Sequence, residues 1–275
     1  MEAMENERDI RDLRGLVATV NLTGLVTSET QDSLLKLALH NASTGFTNIE
    51  YLTFQAQLVE AGRDAVLEHM LRNRYDFALM FDGDALFPPD ALVKLLQTAF
   101  ITHGDSDAVG AYAQLKGSFL PTIDTGSGTW EPHFPGEGVL PAIRTGGHFL
   151  LVKPSAVQCM GPSPWFRTRR TLRPVDALRE VDNFARVTLA GSNPFVQLSE
   201  WTRLMDAAAK DATAGEGHVG EDSGFCDRLL ASGGKLYVDT NVVTGHLSKQ
   251  VITPEDLKKM LRERDRKVAL ACGCS

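Results

Sequence analysis

The sequence predicts an α/β fold: one domain built on a mainly parallel central sheet with helices on both faces. Through the first half of the chain, short apolar, β-branched runs alternate with segments of helical periodicity, the pattern of repeated strand–helix units. The most apolar run, Phe77-Ala78-Leu79-Met80-Phe81, lacks the alternation of a strand with one wet face. It therefore belongs at the centre of a sheet covered on both sides. Neither a repeat of fixed period nor a linker of distinct composition interrupts the 275 residues, which favours a single domain.

Leu16-Val17-Ala18-Thr19-Val20 reads as a buried first strand. A polar turn from Asn21 to Thr27 leads into a helix with a capping-box pattern at Ser28 and Gln31. Its apolar face is Leu34, Leu35, Leu37, Ala38 and Leu39. A second strand is expected around Ile49 to Phe54, then a helix from Gln57 to Arg74 on Leu58, Ala61, Ala65, Leu67 and Leu71. Phe77 to Phe81 is the third strand. Pro88-Pro89-Asp90 opens a helix through Phe100, with proline where a first turn tolerates it. Asp107 to Tyr112 and Gly147 to Val152 are further strands, the latter followed by a short helix from Pro154. Residues 117–141, rich in Gly, Pro, Thr and Ser, read as a hairpin or a flexible loop. Between 161 and 218 periodicity fades, with one helix expected near Phe195 to Lys210. Order returns with a helix from Glu221 to Ser232, stopped by Gly233-Gly234, and a strand from Lys235 to Asp239. Thr253-Pro254-Glu255-Asp256 caps a last helix. The expected organisation is a flexible segment at 1–14, the domain at 15–252, and a C-terminal helix and tail at 253–275.

Hydrophobic residues make up 43% of the chain and charged residues 23%, a balance that excludes a disordered chain. No run approaches the roughly 18 apolar residues of a membrane span. Met1 to Arg14 is charged and lacks the apolar core of a secretory signal, so a cytoplasmic protein is expected. Four scattered cysteines exclude a disulfide framework, and Cys272-Gly273-Cys274 reads as a frayed tail or as a trap for metal or oxidant. A net charge of −7 argues against a polyanion partner for the surface as a whole. Arg167, Arg169, Arg170, Arg173 and Arg179 nonetheless form a basic stretch. It is either a solvated loop or a patch that meets phosphate on an acceptor or nucleic acid.

Asp82-Gly83-Asp84 follows the most apolar strand directly, and ligands of open α/β sheets bind outside the carboxyl ends of the strands. Two adjacent carboxylates there cost several kcal/mol unless a cation or donors compensate them. Carboxylate oxygens suit Mg²⁺ or Mn²⁺, ions that also bind diphosphates, and Gly83 lets backbone approach a ligand closely. The bland alternative is a capped turn leading into the Pro88 helix. An EF-hand is excluded, because Leu86 stands where that loop needs an oxygen ligand. Downstream, Gly220-Glu221-Asp222 opens a helix, where the partial positive charge favours an anion and a held carboxylate could act as general base. Simple decoration of a helix start is the competing reading. Thr244-Gly245-His246 follows a strand, and a single loop histidine is as a rule not a ligand.

Taken in order and spacing, these segments resemble the GT-A glycosyltransferases, a Rossmann-like group, and within them the family-2-like, small bacterial and phage members. Phe77 to Asp90 resembles that family's strand, Asp-x-Asp and following helix. Gly220-Glu221-Asp222-Ser223-Gly224-Phe225-Cys226 resembles its Glu-Asp helix start, and Gly245-His246 its late histidine. The likeness runs from about Leu16 to Lys249. It implies a metal-dependent transfer of a sugar from a nucleotide-diphosphate sugar to a hydroxyl acceptor, with Mn²⁺ or Mg²⁺ as cofactor. Asp84 would bind the metal, Asp82 would contact ribose or metal, and His246 would be the third protein ligand. Asp222 would be the base of an inverting reaction, with Glu221 orienting acceptor or base; a retaining enzyme would not need Asp222 so. Val20, Asn21 and Thr23 would form the base-binding turn, where the family's proline is absent. Arg63 would lie near the nucleotide, followed by Asp64 where the family carries asparagine. Gly146-Gly147-His148 would line the sugar pocket, Trp165-Phe166 could stack on a sugar face, and Lys249 could reach the diphosphate. The acceptor could be a carbohydrate, a protein, a small molecule, or DNA with hydroxymethylated bases of phage type.

Two other readings compete. A nucleotidyltransferase of similar fold needs a glycine-rich basic loop after the first strand, and Asn21-Leu22-Thr23-Gly24-Leu25 has one glycine and no Lys or Arg. A non-catalytic carbohydrate-binding protein would leave both acidic motifs and His246 without a common purpose.

Overall fold

A computed structural model of the chain describes residues 9–21, 26–56, 58–114, 121–126, 133–166 and 220–247. Thr23, Lys249, the Arg167–Arg179 stretch, the helices expected near Phe195 and after Thr253, and the Cys272–Cys274 pair lie outside the described residues.

In chain order the elements are β1 (Gly15–Asn21), α1 (Ser28–Ser43), β2 (Ile49–Gln55), α2 (Val59–Asn73), β3 (Phe77–Asp82) and β4 (Ala85–Leu86). Then come α3 (Ala91–Gln97), β5 (Ala108–Tyr112), β6 (Val139–Pro141), β7 (Phe149–Val152), α4 (Pro154–Met160), α5 (Glu221–Ala231), β8 (Leu236–Val243) and β9 (Gly245–His246). The main sheet has seven strands in the order β2-β1-β3-β7-β5-β8-β6. Within it β1 runs parallel to β2 and β3, and β5 parallel to β8, while β7 and β6 run against their neighbours. The expected α/β class with a mainly parallel sheet flanked by helices is what the chain forms.

Burial along β1 and β3 explains their unbroken apolar character. Leu16, Ala18, Val20, Ala78 and Met80 pack with Val66, Leu67 and Met70 of α2, with α4 and with Phe225 and Leu229 of α5. Val17, Phe77, Leu79 and Phe81 point to the other face, against Leu37 of α1 and Leu92, Leu95 and Leu96 of α3. Alternate side chains thus enter two separate cores, and neither face of the strand is wet.

Several boundaries differ from expectation for local reasons. The side-chain cap of α1 is Thr27, not Ser28: Thr27 Oγ1 accepts from Thr30 N at 3.2 Å, and Ser28 already lies inside the helix. Helix α3 begins at Ala91, because Pro88 O is taken by Ala91 N in a turn at 3.2 Å. The span 117–141, expected to be a hairpin or loop, contributes the edge strand β6 on β8. Strand β8 runs beyond Asp239 to Val243, and its register with β5 shifts between Ala111 and Tyr112. That shift carries the chain across to β4, where β9 pairs antiparallel in a small second sheet. Among the described residues, no helix is long and apolar enough to cross a membrane.

Candidate functional site

The end of β3 and the second sheet bring distant residues together. Asp82 closes β3, and after the Gly83 turn the chain enters β4, where Ala85 is the register partner of His246. Leu247 N donates to Asp84 O at 2.8 Å, locking the same two segments, and Thr27 N donates to Gly83 O at 3.0 Å. Asp84 and His246 are therefore neighbours by backbone pairing, with Asp84 Oδ1 3.8 Å from His246 Nδ1. His148, just before β7, joins from the other side, its carbonyl accepting from Asp82 N at 3.2 Å. Its ring lies against that of His246, with centroids 3.5 Å apart.

Arg63 is the hub of the adjoining cluster. Gly62 makes its position possible, because a side chain there would press to 2.7 Å from Val20 Cγ1 and push α2 off β1. Arg63 is only 2% exposed, and its Nη2 donates to Asp82 Oδ1 at 2.9 Å. Nη1 donates to Glu221 Oε1 at 3.2 Å and also contacts Asp222 Oδ1. Glu221 and Asp222 stand in the first turn of α5, where the helix dipole favours them. Gly147 backs this cluster: a Cβ there would collide with the Asp222 carboxylate and the Arg63 guanidinium. Burial by itself would raise the Asp82 carboxyl, but the Arg63 charge overcomes it and holds it down at about 2.

A metal ion fits these residues. Burying carboxylates together is unfavourable without compensating charge, and among the described residues a single guanidinium, that of Arg63, is shared by Asp82, Glu221 and Asp222. Asp84, His148 and His246 each offer one ligand atom, all within 4.8 Å of one another. The Nδ1 atoms of both histidines are buried without a hydrogen-bond partner, which suits them to hold an ion. The sequence-expected residues Arg63, Asp82, Asp84, Gly147, Glu221, Asp222 and His246 thus converge. Val20 and Asn21 lie beside them at the end of β1, Val20 in register with Asp82. The Val20 side chain is committed to the core.

One expectation needs correction, and one departure from the resembling family finds its reason. Trp165 and Phe166 are 4% and 1% exposed, and Phe166 stacks on Phe225 at 4.5 Å, so neither ring offers a face to a sugar. Asp64, where the resembling family carries asparagine, is a structural acceptor: its Oδ1 takes hydrogen bonds from Trp165 N and Phe166 N, both at 2.9 Å. Burial pushes its carboxyl up, against those two hydrogen bonds. The ionised form is therefore disfavoured in the folded chain. It costs stability as the pH rises past the ordinary carboxylate value, and the full cost is reached above the raised one. Asp64→Asn keeps an acceptor for both amides and removes the charge. The variant is expected to melt higher than the parent at pH 7. The difference should shrink as the pH falls and Asp64 protonates; a difference that grows in acid would contradict this.

His148 was missed as a candidate ligand. It sits in a glycine-rich segment with no ligand-like spacing, and the carbonyl that its ring meets, Gly245 O, lies 97 positions further along the chain.

No protein-family model and no curated protein matches the chain in sequence. Solved structures match it in shape. The crystal structure of A197 from STIV superposes with a TM-score of 0.53 at 15% identity, covering 89% of this chain and 92% of that one. A mannose-1-phosphate geranyltransferase from Thermus thermophilus aligns with a TM-score of 0.41 at 11% identity, over 84% of this chain and 76% of that chain. GalNAc-T7, solved with UDP, GalNAc and Mn²⁺, aligns with a TM-score of 0.41 at 9% identity, over 86% and 44%. The first likeness is one of fold, and the other two are looser.

Proposed function

We propose that the chain is a metal-dependent glycosyltransferase of the GT-A, family-2-like type, moving a sugar from a nucleotide-diphosphate sugar to a hydroxyl acceptor. The observation that carries this reading is a convergence at the carboxyl end of β3. A metal-ligand set built on Asp84 and His246 adjoins a base candidate, Asp222, clamped by Arg63. A bound divalent ion would supply stabilisation for negative charge growing on the departing diphosphate.

The chain's own residues do the rest. Asp222 takes the acceptor proton as the new glycosidic bond forms, the course of an inverting reaction, and Glu221 orients it from the same turn of α5. Arg63 fixes the direction of Asp222, since one guanidinium grips both α5 carboxylates and Asp82. Asp82 faces the donor ribose or the metal. Gly147 lines the sugar pocket, and its lack of a Cβ leaves room for the contact of Arg63 with Asp222. Val20, Asn21 and Thr23 are assigned the role of contacting the nucleotide base, and Lys249 that of a cation for the diphosphate. The transferase domain spans 15–252, and acceptor hydroxyls of carbohydrate, protein or hydroxymethylated DNA fit the reading.

A thermal-shift screen of nucleotide sugars with and without Mn²⁺ tests it. A true donor at about a hundred times its Kd adds roughly 2.7 kcal/mol, which for a chain of this size is a rise of roughly 5–10 °C. The rise should need the metal. Absence of any metal-dependent shift, together with absence of donor hydrolysis, would sink the proposal.

A further inference from the structure

We infer that His148 is a direct metal ligand and that Asp82 is not, so that the bound ion is held by one carboxylate and two imidazoles. This rests on the metal-dependent reading above and deepens it by naming the ligand set and the class of ion.

The two candidates for the third position are distinguished by what already occupies them. Asp82 Oδ1 accepts a charge-assisted bond from the buried Arg63 at 2.9 Å, and Arg63 is itself tied to Glu221 and Asp222. One Asp82 oxygen is thus committed to a guanidinium that is 2% exposed, and Asp82 is not among the residues whose ligand atoms gather with those of Asp84 and His246. His148 has the opposite character. It is 3% exposed, and its Nε2 lies 2.9 Å from Gly245 O, a group that can only accept. Nε2 therefore carries the proton and Nδ1 presents a bare lone pair. Metal-bound histidines are held in this way, donating the second ring nitrogen to a carbonyl that fixes tautomer and orientation.

The lone pair is aimed at the cluster and unmet. His148 Nδ1 is 3.5 Å from Asp82 Oδ2, outside ordinary hydrogen-bond range, and is buried without a partner. His246 Nδ1 is in the same condition, 3.8 Å from Asp84 Oδ1. Two imidazole nitrogens buried side by side without a hydrogen-bond partner are costly on their own. A cation shared with Asp84 satisfies both. The scaffold holds the three residues in place without it: β4–β9 pairing sets Asp84 against His246, and the bond from Asp82 N to His148 O sets His148 beside them. The carbonyl that orients His148 belongs to Gly245, next to His246, so one short strand both carries a ligand and aims the other.

The ligand set predicts the ion. Mg²⁺ favours oxygen ligands, whereas imidazole favours first-row transition ions. The site should take Co²⁺ or Mn²⁺ in preference to Mg²⁺.

The experiment uses the metal alone, without nucleotide sugar. The metal-free full chain is titrated with Co²⁺, Mn²⁺ and Mg²⁺ by calorimetry, and the nitrogens bound to Mn²⁺ are counted by pulsed electron paramagnetic resonance. Two imidazole nitrogens are expected in the parent chain, and one in both His148→Ala and His148→Gln. Co²⁺ affinity should fall about tenfold or more in both variants. Asp82→Asn should keep both nitrogens and lower Co²⁺ affinity less than His148→Gln does. A single nitrogen in the parent chain overturns the inference, whatever the variants do. So does a fall in affinity on Asp82→Asn that exceeds the fall on His148→Gln, or Mg²⁺ binding as tightly as Co²⁺. Donor turnover read separately keeps the two ideas apart. One nitrogen with metal-dependent turnover refutes the ligand assignment alone, whereas two nitrogens without turnover refute the transferase reading and uphold the site.

Discussion

Arg63→Ala is expected to destabilise the fold by about 3 kcal/mol, the low end of the range for removing one partner of a buried ion pair. Three carboxylates converge on this one guanidinium, from the end of β3 and the start of α5, and the arginine itself is 2% exposed. Deleting it leaves Asp82, Glu221 and Asp222 facing one another across the space it filled. Their side chains keep 26%, 25% and 28% of their surface in contact with solvent, so water softens the loss without abolishing it. Urea unfolding should show a lower midpoint at an unchanged slope. Arg63→Lys should fall between, because an ammonium keeps the charge but lacks the planar fork that reaches several carboxylates at once. Added Mn²⁺ should raise the midpoint of variant and parent alike, since it binds the folded chain. A midpoint equal to the parent's would mean that the carboxylates do not depend on Arg63.

The same cluster shows how far the chain could be read without coordinates. Strands β1 and β3 were legible because both faces of each are buried, which writes an unbroken apolar run into the sequence. Helix α5 was legible because acidic residues at a helix start and glycines after its end have local physical causes. The residues Asp82, Asp84, Glu221, Asp222 and His246 could be named, but their mutual distances could not. Those depend on β4 and β9, strands of two residues each, too short for any periodicity to mark. His148 escaped for a related reason: its role comes from Gly245 O and from the His246 ring, neither of which is close in sequence. Trp165 and Phe166 misled because an aromatic pair in a loop looks the same on paper whether it faces a sugar or a core. Asp64, about a hundred positions earlier in the chain, is what turns that loop inward by holding both amides.

Asp84→Ala and Asp222→Asn are expected to abolish turnover by different routes, and the contrast between them is the sharpest functional test. Asp84 is the carboxylate of the ligand set, held beside His246 by the β4–β9 ladder. Its loss should weaken metal binding and, through it, the stabilisation of the leaving diphosphate. An electrostatic contribution of several kcal/mol corresponds to a fall of roughly 10³-fold or more in kcat/KM. Asp222 lies across the Arg63 clamp from that set and offers no ligand atom to it. Asp222→Asn keeps the shape of the side chain and removes the basic oxygen, so kcat should fall by about 10²–10⁴ while Mn²⁺ affinity and KM for the donor hold. Hydrolysis of the donor by water, which does not need acceptor deprotonation to the same degree, should suffer less than transfer. If Asp222→Asn transfers sugar at the parent rate while Asp84→Ala does not, the base assignment fails and the reaction must retain configuration or draw its base from elsewhere. If Asp84→Ala is itself fully active, the diphosphate is stabilised by something other than the ion that this carboxylate holds, and the metal-dependent mechanism fails with it.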